Sequence, residues 1–588
     1  ACFMESGLAM LIKGGFLGMI NQHSWMFISS YKELRKKLLI TKYIDSLLHL
    51  GARTFPEIGG EVVQSVSFTI WNNELISKGK YIRLLDFDTS DLKCSKTVDA
   101  IKNPDCIWSY TTNQKDFLRI PNNPIVYWIS ENFIQIFQSG KYVEDVGNAV
   151  NGLFTCDNER FLRFYHEINI SDISFNKTNR LRLGQVKWIP YNKGGGFKRW
   201  YGFDEYIVSY KDNGQEIRIK RENSNQSKTF PGEKYYGEDS ITWSALSSGL
   251  FSSRYSDYGA AFDIGGSSFF CDDNDMLLNF LGFTNSVVCQ SILIMINPTL
   301  NYQVGNLRIL PMRSLSDINL IKENILISKE DVFSKENSWN FKHSELCRIK
   351  CKNEITLEDS YRLYTDYWSK KFFQLHYNEE QLNSQYIEIY GLNGELSPII
   401  ALENISILLN EINRKSFPKL NIKLKRNPET HLVNNYDEIV LPFIPSEIMA
   451  QFISYSVGCI MGRYSLDKEG LILVNSGETL QDYLHKIDKS KYDCSLLPDE
   501  DNIIPILDDE WFEDDIVGKF YQFLKVTFGE MNFNKNLTFI EEQIGKDIRK
   551  YFIKDFYPDH IKRYKKRPIY WMFSSPKGSF NMLIYMHR

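Results

Sequence analysis

The chain has almost no net charge, no Cys-x-x-Cys pair and no long apolar run, and each lack excludes something. Its formal charge is −4 over 588 residues. No global field therefore draws it to a polyanion, and any such contact must come from local basic patches. The ten cysteines are scattered, the pattern of free thiols in a reducing compartment rather than of a disulfide framework. His343, Cys347 and Cys351 are four apart and share a helical face, but no fourth ligand follows, so no metal is expected. The apolar run from Leu8 to Ile20 is broken by Lys13 and two glycines and is too short to span a bilayer. A cytoplasmic protein without a membrane segment is expected.

What is present is ordinary for a soluble chain in its 24% charged residues, but aromatic-rich at 14%. The length calls for three or four structural units rather than one core.

The stretch from Gly14 to Ile70 is the most informative. Gly14 and Gly15 end a short helical pattern. Phe16 to Ile20 is a compact apolar run suited to a buried strand. Ser29 and Ser30 offer a helix cap, and Leu34, Leu38 and Leu39 follow at helical spacing. Ile44 to Leu50 and Val62 to Ile70 read as two more strands around a Gly/Pro loop. The order helix, strand, helix, strand, strand is that of an open α/β domain closing on an antiparallel hairpin. Tyr81 to Asp88 adds a further strand, and the domain is expected to close near residue 105.

Pro121 to Asn148 shows helical periodicity and reads as a connector. Within Gly152 to Ile168, Thr155 or Asp157 can cap the helix that follows. In KWIPYNKGGGFKRWYGFDEY, Lys187, Lys193, Lys198 and Arg199 alternate with Trp188, Tyr191, Phe197, Trp200 and Tyr201. Cations interleaved with aromatics around a glycine turn suit a phosphate backbone and exposed bases. An inward-packed surface hairpin is the equal alternative. Residues 217 to 240 are polar and read as a loop. ITWSALSSGLFSSRYSDYGAAFDIGGSSFF carries Arg254 as its one cation, a candidate for base-edge or phosphate contact. Leu281 to Leu307 reads as a helix, a loop and a turn.

Beyond residue 330, Leu357 to Tyr377, Ile399 to Lys415 and Ile444 to Met461 predict a mainly helical domain. DDEWFEDDI reads as a solvated helix start. The last segment packs Lys546, Arg549, Lys550, Lys554, Lys562, Arg563, Lys565, Lys566 and Arg567 among aromatic residues, a charge density able to neutralise several phosphates.

LGARTFPEI resembles a loop of the amino-methylating DNA methyltransferases that use S-adenosylmethionine, in the back half of their catalytic domain. GLFTCDNERF, WIPYNKGG, FDIGGSS, FLGFTNS…NPTLNYQVG and KRPIYWMFSSPKGSFNMLIYMHR resemble the adenine methyltransferases of BREX phage-defence systems, the PglX family. The resemblance covers essentially the whole chain. It implies an α/β plus α architecture: residues 1–105 as the C-terminal remnant of a Rossmann-like methyltransferase domain, 106–150 a helical connector, 151–330 a mixed α/β DNA target-recognition domain, and 331–588 a mainly helical domain.

The same resemblance makes Phe55 the residue that stacks on a flipped adenine, with Asn21 and Gln22 lining the base pocket. It makes Lys187, Lys193, Lys198, Arg199, Trp200, Arg254, Lys562, Arg563, Lys565, Lys566 and Arg567 DNA contacts. S-adenosylmethionine is the implied cofactor and double-stranded DNA the implied partner; other phage-defence proteins are admitted as partners. The family's glycine-rich cofactor loop and its Asn-Pro-Pro-Tyr motif are not in this sequence, so no catalytic residue is named, and the chain is expected to be the later part of a longer protein, cut at both ends. Two alternatives stand beside this: a non-catalytic DNA specificity subunit, and part of a restriction-methylation fusion.

Overall fold

A computed structural model describes residues 2–56, 63–73, 78–138, 140–175, 187–247, 249–257, 259–297, 299–350, 355–487, 495–576, 578 and 580–587. The chain divides into two compact units, one formed by residues 1–149, 286–314 and 385–397, the other by 150–285, 315–384 and 398–588.

The first unit is built on a five-stranded sheet. Helix α1 (Cys2–Ala9) precedes β1 (Phe16–Gln22), followed by α2 (Lys32–Thr41), β2 (Tyr43–Gly51), β3 (Ser65–Trp71), β4 (Lys78–Arg83), α3 (Ser90–Lys102) and β5 (Ser109–Asn113). The strand order is β1-β3-β2-β4-β5. β3 lies antiparallel to both β1 and β2, so β1 and β2 run parallel and α2 is the crossover between them. β4 is parallel to β2, and β5 is antiparallel to β4. The sheet thus continues past residue 105. Leu38 and Leu39 of α2 are buried, as are Ile44, Leu47, Phe68 and Ile70 of the strands. The apolar positions read from the sequence in α2, β2 and β3 supply this core, whereas Phe16 to Ile20, expected as a buried strand, is the edge strand β1 with Phe16 and Ile20 exposed.

One core residue is an arginine. Arg35, on α2, is fully buried. Its guanidinium donates to the carbonyls of Trp25 (2.9 Å), Ile28 (2.8 Å), Asn122 (2.7 Å) and Asn123 (3.0 Å). Four peptide carbonyls disperse its charge, and burial lowers its pKa to about 10. Segment 121–148 is mostly not the expected helix: it forms helices only at Glu131–Ile136 and Val143–Val146. Asn122 and Asn123 take positive φ between Pro121 and Pro124, which no helix tolerates. Phe133, Ile134 and Phe137 are still buried.

In the second unit, strands Trp188–Asn192, Tyr206–Ser209 and Leu162–Phe164 pair antiparallel, with Ala261–Phe262 added parallel to the first. Ser240–Trp243 pairs antiparallel with Ser253–Ser256 and with Ser268–Phe270. Leu153, Ile189, Tyr191, Val208, Phe262 and Phe270 share one core. The helix expected after Thr155 or Asp157 is short, Asn158–Phe161, and is capped by Asp157, whose Oδ1 accepts from the Arg160 amide at 3.2 Å. The expected loop at 217–240 begins as helix, since Lys211–Asn223 is helical after a left-handed kink at Asp212–Gly214.

The later part carries long helices, Leu357–Tyr390, Pro445–Ile460, Ile516–Phe528 and Phe533–Ile544. Asp515 caps the third, its Oδ1 accepting from the Val517 amide at 2.9 Å. Two departures from the sequence reading follow from burial. Residues 399–415 hold only short 3-10 turns, at Leu402–Asn404 and Arg414–Ser416, although Ile405, Ile407, Leu408 and Ile412 are buried. The end of the chain is a sheet: Phe580–Tyr585 lies between Ile503–Leu507 and Tyr570–Ser574, antiparallel to both. Among the described residues no single helix is long and apolar enough to cross a membrane.

Candidate nucleic-acid interface

The strand register of the first unit puts Asn21, Val66 and His49 in one row, and Gln22, Ser65 and Gly51 in the next. The carboxyl ends of β1 and β2 therefore coincide, which in an open α/β sheet is the edge that receives ligands. Asn21 is half-buried, its amide donating to the Met19 sulfur at 3.0 Å, while Gln22 is exposed.

The loop leaving β2 is anchored at several points. Gly51 has φ +70, and a Cβ there would meet Leu85 Cδ2 at 2.5 Å, so only glycine fits. The Thr54 hydroxyl donates to the Gly51 carbonyl at 2.9 Å. The ammonium of Lys93, on α3, bonds to the carbonyls of Leu50 (2.5 Å) and Ala52. Arg53 pairs with Asp88 at 3.7 Å. These restraints leave Phe55 standing 39% exposed. An anchored loop keeps the entropy cost of offering this ring low.

Beside this edge lies a chain the sequence reading missed. His23 Nδ1 is 2.9 Å from His49 Nε2, and His49 Nδ1 is 3.1 Å from the Tyr127 hydroxyl. Burial lowers the His23 pKa to about 4. It also takes His49 well below its usual value, helped by the charges of His23, Arg83 and Lys93. Both rings are therefore neutral at pH 7 and can share one N–H···N bond. The available signal was His49 two residues after buried Leu47, on the inward face of β2.

The cationic candidates separate into internal and exposed sets. Lys198, Arg199, Trp200 and Arg254 are all under 7% exposed, which corrects their reading as surface contacts. Lys198 Nζ meets Asp331 at 2.8 Å, Arg199 Nη1 meets Glu379 at 2.5 Å, and Trp200 Nε1 donates to the same carboxylate at 2.6 Å. Arg254 packs over the Phe203 ring at 4.7 Å, and burial lowers its pKa to about 9. Charges held this way are locked, because breaking one partner leaves the other buried and unpaired.

The three-glycine turn is also spent internally. A Cβ on Gly194 would lie 2.3 Å from the Gly265 carbonyl oxygen, and one on Gly266 would lie 2.7 Å from the Gly194 nitrogen. Lys187 is exposed, and Lys193 pairs with Asp263 at 2.5 Å. In the last segment Arg563 is held by Asp559 (2.8 Å) and Glu447 (3.2 Å) and is only 14% exposed at its side chain, a second correction. Lys562, Lys565, Lys566 and Arg567 are exposed, with Lys565 near Glu205 (2.5 Å) and Arg567 near Glu167 (3.6 Å). Surface pairs of this kind are weak and exchange readily for another anion.

This sheet edge and anchored aromatic loop lie in a segment similar to the restriction-modification methylases. The family model described as Eco57I restriction-modification methylase matches residues 1–55, from α1 through β2 to Phe55. The chain is 36% identical over 609 aligned positions to the "Adenine-specific methyltransferase PglX" of Lacticaseibacillus casei (strain Zhang), and 35% identical over 608 to the "Adenine-specific methyltransferase BrxX" of Escherichia coli O9:H4 (strain HS). Each alignment covers 100% of this chain and 47% of the relative. Along its full length the chain is similar in sequence to these PglX and BrxX adenine-specific methyltransferases, of whose length it spans about half. Among solved structures it is distantly similar to the Type IIL restriction-modification enzyme MmeI in complex with DNA, with TM-score 0.37 and 10% identity over 65% of this chain and 48% of that one.

Proposed function

We propose that this chain is the C-terminal portion of a site-specific DNA adenine-N6 methyltransferase of phage defence, and that it supplies target recognition and the aromatic face that receives the flipped base. The whole-length identity to two proteins named adenine-specific methyltransferases carries this reading. In it, Phe55 stacks on the everted adenine at the carboxyl edge of the sheet, with Asn21 and Gln22 at the pocket wall. An extruded base loses its stacking, and a protein aromatic returns roughly 1–3 kcal/mol per base. The exposed set Lys187, Lys562, Lys565, Lys566 and Arg567 neutralises phosphates, while Lys193 is held by buried Asp263. The internal set holds the scaffold that presents them. Residues 151–330 read as the target-recognition domain and 331–588 as its support.

S-adenosylmethionine is the methyl donor of the reading, and no residue here is assigned to its site. The sequence has no glycine-rich cofactor loop and no Asn-Pro-Pro-Tyr motif, and β1 is followed by the 3-10 turn His23–Met26 rather than by a glycine turn. No methyl-transfer step is assigned to these residues. The test uses the complete enzyme: single-molecule sequencing of genomic DNA from cells carrying the full gene or its deletion. A modified adenine in one motif, lost on deletion, supports the reading; no difference in adenine modification sinks it.

A further inference from the structure

The second unit encloses a cavity of about 700 Å³ that the reading above leaves unused. Its walls come from residues 198–205, 331–346, 409–411, 444–455 and 559–565, with Tyr364. Eight carboxylates face five cations. Most of these charges are already matched: Asp331 with Lys198 and Lys335, Glu411 with Lys335, Glu447 and Asp559 with Arg563, Glu205 with Lys565, and Glu345 with Arg348. Lys562 stands exposed.

Two carboxylates remain without an ion pair among the described residues, Asp204 and Glu336. Both are buried, 7% exposed each. Asp204 accepts from the Ser338 hydroxyl, at 3.2 Å, and from its own backbone amide. The Glu336 oxygens have no close hydrogen-bond partner; the Ser454 and Tyr464 hydroxyls reach them only weakly, and Arg463 and Arg563 act on the charge from farther off. The same turn carries both sites: the Tyr165 hydroxyl lies 3.0 Å from the Glu336 carbonyl and 3.2 Å from that of Ser338. A buried carboxylate without a partner is costly and calls for an occupant that supplies one.

The occupant's chemistry follows from the lining. An anion is excluded by the excess of carboxylates. A single metal ion is disfavoured, since among the described residues the one set of three ligand atoms close enough to share an ion is Asp499, Asp501 and Asp514, none of which lines the cavity. The remaining wall includes Phe203, Phe341, Tyr364 and Tyr455, apolar and aromatic faces that suit methylenes and ammonium groups. The volume is that of a small-molecule site. We propose that this cavity binds an organic polyamine whose ammonium groups meet Glu336 and Asp204 and whose methylenes pack on the aromatic wall. Burial raises both carboxyls, Asp204 to about 7, with Glu205 adding to the rise and Ser338 and Lys198 opposing it; an ammonium partner reverses that penalty.

Isothermal titration of the 588-residue chain with spermidine, without nucleic acid and at physiological salt, tests this independently of the methyltransferase reading. One saturable site is expected. Glu336→Gln and Asp204→Asn should each weaken it at least about tenfold, the size of one charge-assisted hydrogen bond. Triacetylated spermidine, of the same backbone but without charge, should not bind the unaltered protein, which keeps the test informative if a variant misfolds. Absence of a saturable site, equal binding of the acetylated compound, undiminished binding to folded variants, or one-for-one displacement by magnesium would each overturn the proposal.

Discussion

Replacing Lys562, Lys565, Lys566 and Arg567 together with glutamine should change the salt dependence of duplex binding, not merely its strength. The four side chains are exposed and follow one another at the end of helix Tyr557–Arg563. Lys565 and Lys566 have φ of +51 and +65, so the chain turns sharply there. Two of the four touch carboxylates, but these surface pairs are worth little and yield to phosphate. If all four reach phosphates, counterion release contributes a slope of about 3.6 to log K against log salt, at about 0.9 per contact. Between about 50 and 200 mM salt that share alone is roughly a 100-fold loss of affinity, and the variant should forfeit it. The assay is fluorescence anisotropy with a labelled duplex at several salt concentrations, on protein whose melting temperature is unchanged. A variant with the parental slope would refute the placement of this cluster on the backbone, whatever its affinity at one salt.

Other outcomes follow from the geometry. In the complete enzyme Phe55→Ala should reduce adenine methylation about 5- to 150-fold, the range set by one base–aromatic stack, while equilibrium dialysis of S-adenosylmethionine stays unchanged; an unaltered methylation rate would count against the stacking role. Arg35→Ala should destabilise the first unit by about 3 kcal/mol or more in urea unfolding, because the carbonyls it joins lose a buried donor; a loss under about 1 kcal/mol would mean water replaces it. Asp204 has a folded-state pKa raised from 3.8 to about 7. Above about pH 4 the unfolded chain releases this proton while the folded one keeps it, so stability falls as pH rises from about 4 to about 7. Thermal melts of Asp204→Asn should lose that decline, and an identical pH profile would show the carboxyl to be ordinary.

The first three strands of the first unit were legible as short apolar runs, and the crossover helix keeps its leucines at helical spacing, whereas the polar strand Ser109–Asn113 went unread. The positions of Asn21, Gln22 and Phe55 could be read only through family resemblance; nothing local distinguishes Phe55 from a loop aromatic packed against the sheet. The cation–aromatic segment misled for a physical reason. Lys198 and Arg199 find their acids 133 and 180 residues away, and no local pattern reports a partner at that distance. The closing hairpin was readable and went unread: Asn581, Leu583 and Tyr585 are buried on alternate positions, a period of two set inside an otherwise helical stretch. The irregular course of 399–415 was not legible, since an apolar run bounded by turns can be buried with or without regular structure.

Glu379 receives both Arg199 and Trp200, and this limits how the segment around them can be exchanged between relatives. A transplanted 187–206 module would arrive with its own guanidinium and indole but find the recipient's side chain at position 379. Chimeras that carry this acid along should remain well-behaved, whereas those cut between the two would strand a charge inside the hybrid. The natural unit of swapping is therefore discontinuous in the gene.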